Sequence, residues 1–202
     1  MEKKKKRVIA SHNSWSFLAP ASRIMRLFRF MARCQEVNIK QQFEYGVRCF
    51  DLRVRFDQYG SPYFCHGLMR YHGSPHEHLY LLNHLSHLTS DKVYCRVMLE
   101  DHMFTRDRDY QEQCFAAFCC RLQHNIGYKQ LQFFGGWTKY GWRDRMLFRF
   151  QGDEPTVLEL HSSVCGSMFS ALWPRRFAKR HNKDFREGSC NAQILMLDFV
   201  NL

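Results

Sequence analysis

No apolar run in this chain approaches the roughly 20 residues that a membrane-spanning helix requires. Its nine cysteines show no C-x-x-C spacing, are odd in number, and place Cys119 beside Cys120, which argues against a disulfide framework or a zinc module. The thiols are therefore expected to be reduced, in a cytoplasmic setting. His66, His72, His76, His78, His84 and His87 crowd one region but never fall into H-E-x-x-H, so they are expected to be surface or core histidines. Zinc fingers, glycine-rich phosphate loops and aromatic RNA-binding motifs are missing, which argues against a nucleic-acid partner. There is no internal repeat. The opening MEKKKKR imitates the basic part of a signal peptide, but Val8-Ile9-Ala10 is too short an apolar stretch and Ser11-His12-Asn13-Ser14 interrupts it; an uncleaved segment is expected. Acidic residues are also scarce, 19 against 30 Lys and Arg, for a formal charge of +11. Such an excess implies an anionic partner: a phosphate-bearing substrate, an anionic membrane surface met peripherally, or nucleic acid.

What is present describes one globular domain over residues 1–202, with residues 1–7 as a basic tail. The most informative stretch is VRCFDLRVRFDQYGSPYFCHG, residues 47–67. Phe50, Leu52 and Val54 alternate with Cys49, Asp51, Arg53 and Arg55, the period of a strand. Tyr59-Gly60-Ser61-Pro62 supplies a turn and Tyr63-Phe64-Cys65 a second strand. The hairpin can gather Asp51, Arg53 and His66 at one mouth of a sheet. An acid, a fixed cation and a titratable base together suit a phosphate.

Around the hairpin, residues 8–11 form a short strand delivering His12 to a loop. Ser22 is positioned to cap a helix through about residue 34, with Ile24, Leu27, Phe28 and Met31 at helical spacing and Arg23, Arg26, Arg29 and Arg33 opposite. That basic face is expected to be solvated, with lipid contact as the alternative. Further helices are expected at 39–45, ended by Gly46; at 75–88, with Leu81, Leu82, Leu85 and Leu88 inward; at 107–125, burying Tyr110, Cys114, Phe118 and Leu122; and at 167–181, bent or divided by Pro174. Strands are expected at 93–99, 131–134, 146–150, 156–160 and 192–200, the last with Asp198 inside an apolar run. Such a carboxylate is costly unless partnered, and a histidine is its natural partner. Alternating strands and helices predict an α/β fold with parallel strands, a small, irregular barrel more than a regular (β/α)₈ one, with the site at the C-terminal ends of its strands.

Five segments carry a resemblance: SHNSW (11–15), IKQQFEYGVRCFDLRV (39–54), FCHG (64–67), VMLED (97–101) and ILMLDFVN (194–201). In order and spacing they resemble the signature segments of the phosphatidylinositol-specific phospholipase C X-domain superfamily of phospholipase C-like phosphodiesterases, closer to the bacterial metal-independent type. Residues 127–190 carry little of the likeness. The resemblance implies a small distorted TIM-type (β/α) barrel and a phosphodiesterase in which His12 is the general base toward the inositol 2-hydroxyl. His66 is then the general acid toward the glycerol oxygen, with a cyclic inositol phosphate as product. It further implies that Arg53 neutralises the phosphate, Asp51 orients a histidine (His66 first), and Asp198 holds His12. Asn13 and Glu100 are expected to bind substrate.

Asn13 and Glu100 also match the calcium-dependent members, in which Asn13, Asp51 and Glu100 would offer hard oxygen ligands to Ca2+. Arg53 stands where another calcium-binding acid would be, so no cofactor is expected, with Ca2+ as the alternative. Two other functions stay open: a phosphodiesterase of this fold with another substrate, and a non-catalytic basic lipid or polyanion binder. Trp137, Trp142 and Trp173 are expected on a membrane rim, in an inositol-stacking wall or in the core.

Overall fold

The computed structural model describes residues 7–102, 104–124, 131–137, 148–149, 160–162, 173–187 and 194–202. Nine strands form one sheet: β1 (Val8–Ser11), β2 (Val47–Phe56), β3 (Pro62–His66), β4 (Met69–Arg70), β5 (Val93–Leu99), β6 (Leu131–Trp137), β7 (Phe148–Arg149), β8 (Leu160–Ser162) and β9 (Ile194–Leu197). Their order is β7-β6-β5-β2-β1-β9-β8, with β3 on β2 and β4 on β3. Neighbours from β6 through to β8 pair in parallel, whereas β2–β3, β3–β4 and β6–β7 are antiparallel. Among the described residues, β7 and β8 do not pair, so the sheet is an open, distorted barrel.

Both faces of β2 are covered. Phe50, Leu52 and Val54 join the larger core with Leu79, Leu82, Leu85, Phe115 and Phe118 from the helices. Cys49 belongs to a second cluster with Ala10, Phe134, Ile194 and Met196. Asp51 and Arg53 continue the Cys49 row, because side chains alternate along a strand. At β6, Gly135 has φ 152° and lies so close to β5 that a Cβ would sit 1.8 Å from the Val97 carbonyl oxygen; only glycine fits there.

The helices are α1 (Arg29–Ala32), α2 (Ile39–Glu44), α3 (Pro75–Ser86), α4 (Arg108–His124) and α5 (Pro174–Glu187). Helix α2 starts with a reciprocal capping box between Asn38 and Gln41, worth about 1 kcal/mol. In α3 the buried leucines are Leu79, Leu82 and Leu85, while Leu81 and Leu88, expected inward, are exposed. In α4, Phe115, Phe118, Cys119 and Leu122 are buried; Tyr110 and Cys114, expected inside, are half-buried, a rotation of the inward face by one position. Pro174 opens α5 instead of bending a longer helix, as proline tolerates the first turn; residues 167–172 lie outside the described residues.

The segment after Ser22 departs furthest from expectation. Arg23, not Ser22, precedes a 3₁₀ turn at Ile24–Phe28 that runs into α1, and neither element buries a residue. Most of its apolar side chains face solvent, Ile24 being 70% and Leu27 75% exposed, while Met25 and Ala32 pack against the core. Among the described residues no helix is long and apolar enough to cross a membrane. The described cysteines are all free thiols; Cys165 and Cys190 lie outside them.

Candidate active site

Three parallel strands deliver three polar groups to the same end of the sheet. His12, Glu100 and Asp198 are each the first residue beyond β1, β5 and β9. The pairing carries on past the strands, through His12 N–H to Leu197 O (2.9 Å) and Glu100 N–H to Val54 O (3.0 Å). His66, the last residue of β3, arrives from the antiparallel side. Asp51 and Arg53 rise between them from β2.

His12 is held at both ring nitrogens. Nδ1 lies 2.7 Å from Asp198 Oδ1 and Nε2 lies 2.7 Å from Arg53 Nη2. A guanidinium only donates, so Nε2 accepts and the neutral ring carries its proton on Nδ1, donated to Asp198. The Asp198–His12 pairing expected from the sequence is thus present, although Asp198 stands just beyond the strand and not within it.

Arg53 is fixed by two carboxylates. Its Nε donates to Asp51 Oδ2 (2.9 Å), and Nη1 reaches Glu100 Oε2 at 3.1 Å and Oε1 at 3.4 Å. Burial alone would lower the guanidinium's affinity for its proton, but Asp51 and Glu100 outweigh it and raise the pKa. Asp51 also accepts from Arg96 Nη1 (3.0 Å) and from the Asn13 N–H (3.0 Å). Burial would raise the Asp51 pKa; Arg53, Arg96, His12 and the Asn13 amide together hold it well below the usual carboxylate range. Glu100 Oε1 accepts from the Gly67 N–H at 2.9 Å, tying the residue after His66 to the same network.

His66 corrects one expectation. Asp51 does not orient it: the Asp51 oxygens accept from Arg53, Arg96 and the Asn13 N–H. His66 Nδ1 instead lies 3.1 Å from Ala32 O and 4.0 Å from Cys34 Sγ. A carbonyl only accepts, so the neutral His66 ring carries its proton on Nδ1. Burial, then the nearby Arg53, lowers the pKa of this half-buried histidine to about 4. The two rings face each other edge to face, centroids 5.6 Å apart.

Asn13 adopts φ 40°, a left-handed backbone that asparagine tolerates, and its Nδ2 is buried with no acceptor among the described residues. A buried donor without a partner is costly, and a bound oxygen would satisfy it. The alternative calcium set, Asn13, Asp51 and Glu100, does not fit a cation. The Asp51 and Glu100 oxygens converge on Arg53, whose positive charge occupies the position a metal would need.

Sequence reasoning missed the frame that holds these groups. Arg96 stands alone among apolar residues in β5, in register with Asp51; a charge inside a buried strand was the available signal, as it was for Asp198. Gln35 donates through Nε2 to His12 O (3.1 Å) and Leu197 O (2.9 Å) and accepts from the Val200 N–H (3.1 Å), clamping β1 to β9. Ser14 Oγ accepts from the Asp51 N–H, and Ser16 Oγ accepts from the Cys34 and Gln35 N–H groups. Cys34 is buried beside His66 and Asp198; burial, then Asp198, pushes its thiol well above the ordinary value. Nothing in the sequence distinguishes it from the other cysteines. Trp137 is buried and Trp173 exposed; Trp142 lies outside the described residues. Among the described residues His72, His76, His78, His84 and His87 join no metal-binding group.

No protein-family model and no curated protein sequence matches the chain. Solved structures do. A double mutant of the phosphatidylinositol-specific phospholipase C from S. aureus superposes with a TM-score of 0.61 at 14% identity, covering 96% of this chain and 86% of that one. The phosphatidylinositol-specific phospholipase C from Listeria monocytogenes gives 0.57 at 15% identity, over 96% and 88%. A further S. aureus structure, concerned with modulation of that enzyme's membrane binding, gives 0.59 at 12%, over 96% and 86%. The chain therefore has the phospholipase C-like, distorted TIM-barrel fold.

Proposed function

On the fold shared with these bacterial phospholipases C, we propose that this chain cleaves the glycerol–phosphate bond of phosphatidylinositol or a related inositol phosphodiester, without a metal. The observation that carries the reading is His12 gripped between Asp198 and Arg53, with His66 facing it at 5.6 Å. A binder of polyanions needs positive charge. It does not need a histidine whose tautomer is fixed by a carboxylate and whose other nitrogen is a lone pair.

In this mechanism the substrate phosphate draws Arg53 Nη2 away from His12 Nε2. The exposed lone pair takes the proton of the inositol 2-hydroxyl, Asp198 stabilises the resulting imidazolium, and the oxygen attacks phosphorus. The glycerol oxygen leaves with a proton from His66, and a cyclic inositol phosphate forms. His66 is neutral in the free protein; the anionic phosphate raises its affinity for the second proton that it must donate. Each transfer contributes about 10²–10⁴-fold. Asn13 Nδ2 donates to a substrate oxygen. Glu100 supports Arg53 in place of binding a metal.

The exposed Ile24, Leu27, Phe28, Phe30 and Met31, interleaved with Arg23, Arg26 and Arg29, form the membrane-facing rim in this reading. The rim joins the site directly, because Ala32 at its end accepts from Tyr71 Oη and His66 Nδ1. Such an apolar and basic segment suits the interface of anionic lipid.

The test is release of cyclic inositol phosphate from phosphatidylinositol vesicles with and without EGTA, by the wild type, His12→Ala and His66→Ala. Turnover that survives EGTA and falls about 10²-fold or more in both variants is expected. Dependence on Ca2+, or near-normal turnover in either variant, overturns the mechanism.

A further inference from the structure

Cys34 has no part in the chemistry above, yet it lies within the catalytic cluster. Its Sγ, one ring nitrogen of His12 and one of His66 all lie within 4.8 Å of one another, the sole such His/Cys group among the described residues. From this triad we infer a reversible inhibitory site for a thiophilic divalent cation such as Zn2+ or Cd2+.

The donor chemistry is that of a zinc site. One thiolate and two imidazoles provide three of four tetrahedral positions, with bonds of about 2.3 Å to sulfur and about 2.0–2.1 Å to nitrogen. Those bonds place ligand atoms roughly 3.3–3.8 Å apart. The Cys34–His66 separation of 4.0 Å is close to that already. Asp198 on His12 Nδ1 adds the carboxylate–histidine support typical of such ligands and leaves Nε2 as the metal-binding nitrogen. Arg53 must release Nε2, as it does for the substrate phosphate. Once Arg53 has moved off Nε2, the charges permit a cation: three carboxylates, Asp51, Glu100 and Asp198, stand against two guanidinium groups, Arg53 and Arg96. This preference for sulfur and nitrogen separates the site from the oxygen-ligand calcium set, which Arg53 blocks.

On binding, the Cys34 S–H bond breaks, a metal–sulfur bond forms, and the proton passes to solvent. His66 shifts its single proton to the nitrogen that does not bind. Both proposed proton carriers are then committed to the ion, so turnover stops. As an account of inhibition this rests on the proposed function; the binding itself does not.

The test titrates reduced full-length protein with Cd2+ and follows the thiolate-to-cadmium charge-transfer band in the ultraviolet, beside turnover with Zn2+ and after EDTA. A one-to-one band is expected, weakened at least tenfold in affinity by Cys34→Ser and by His66→Ala and unchanged by Cys120→Ser. Cys120→Ser is the control because exposed Cys120 sits 3.5 Å from His124 Nδ1 and could bind the ion instead. Zn2+ should lower turnover at least tenfold, reversed by EDTA. If Cys34→Ser fails to fold, His66→Ala decides. A band that keeps its affinity in His66→Ala, or is lost in Cys120→Ser, overturns the site. A band with the expected variants but no inositol phosphate release keeps the site and overturns the phospholipase reading instead.

Discussion

Arg53 Nη2 donates to His12 Nε2 across 2.7 Å, so in the free protein the lone pair proposed as base is capped by the cation proposed to hold the phosphate. The two functions are coupled through one hydrogen bond. Substrate that brings no phosphate leaves the base occupied.

Arg53→Lys should therefore damage more than charge. A lysine retains one positive centre but cannot reach Asp51, Glu100 and His12 from three directions. Turnover should fall about 10²-fold or more, measured by phosphate-ester release with folding checked by circular dichroism. Wild-type rates would make Arg53 a structural residue.

Asp198→Asn tests the tautomer. An asparagine amide can donate to His12 Nδ1, driving the ring proton to Nε2, where it would confront the Arg53 donor. Turnover should drop by about 10²–10⁴-fold with little change in substrate affinity. An effect confined to KM would show that Asp198 only shapes the pocket.

His66 gives the protein a pH-dependent stability of defined sign. Its pKa falls from an ordinary value near 6.5 to about 4 on folding, so the unfolded chain binds the extra proton between these values. The stability it contributes is complete above about pH 6.5 and is lost as pH falls toward 4. The wild type should lose on the order of 1–2 kcal/mol more than His66→Asn between pH 7 and pH 5. Urea unfolding at the two pH values measures this; parallel losses in both proteins would refute it. Histidine NMR titration gives the His66 pKa independently.

Leu27→Ala combined with Phe30→Ala removes two exposed apolar side chains from the rim. Each is worth about 1.5–3 kcal/mol on transfer to an apolar phase. Activity on anionic vesicles should fall at least ~10-fold, and cleavage of a monomeric short-chain substrate far less. Equal losses on both substrates would place the rim inside the fold's stability and not at a membrane.

Gly135→Ala should cost on the order of 3 kcal/mol, because a Cβ 1.8 Å from Val97 O forces β5 and β6 apart. Denaturant unfolding reads this, and a neutral effect would mean the strands part easily.

Period-two patterning made β2 legible down to which side chains share a face; a polar residue after an apolar strand pointed to His12 and Glu100, and a charge inside an apolar run pointed to Asp198. Short-range patterns could not reveal what packs from outside the element. The residues from Ser22 to Cys34 carry helical spacing, yet Ile24, Leu27, Phe28, Phe30 and Met31 are exposed among the described residues, so periodicity pointed to burial that does not occur there. Leu81 fits the same stripe as Leu82 and Leu85 but falls on its exposed margin, and Leu88 lies past the end of α3. At the site, the family resemblance gave Asp51 a histidine to orient, His66 first. Arg96, from a strand 45 residues away in sequence, takes the carboxylate instead. Cys34 and Gln35 became visible only through contacts between distant segments.

The hydrogen bond between His12 and Asp198 joins residues 186 positions apart. Closing so long a loop is slow, because its entropy is lost before the contact is made. Every earlier pairing can form while the dyad is still open, so under the proposed mechanism a chain that has built most of its sheet is chemically silent. On that mechanism competence arrives with β9, all at once, and local unfolding of β9 would withdraw it the same way.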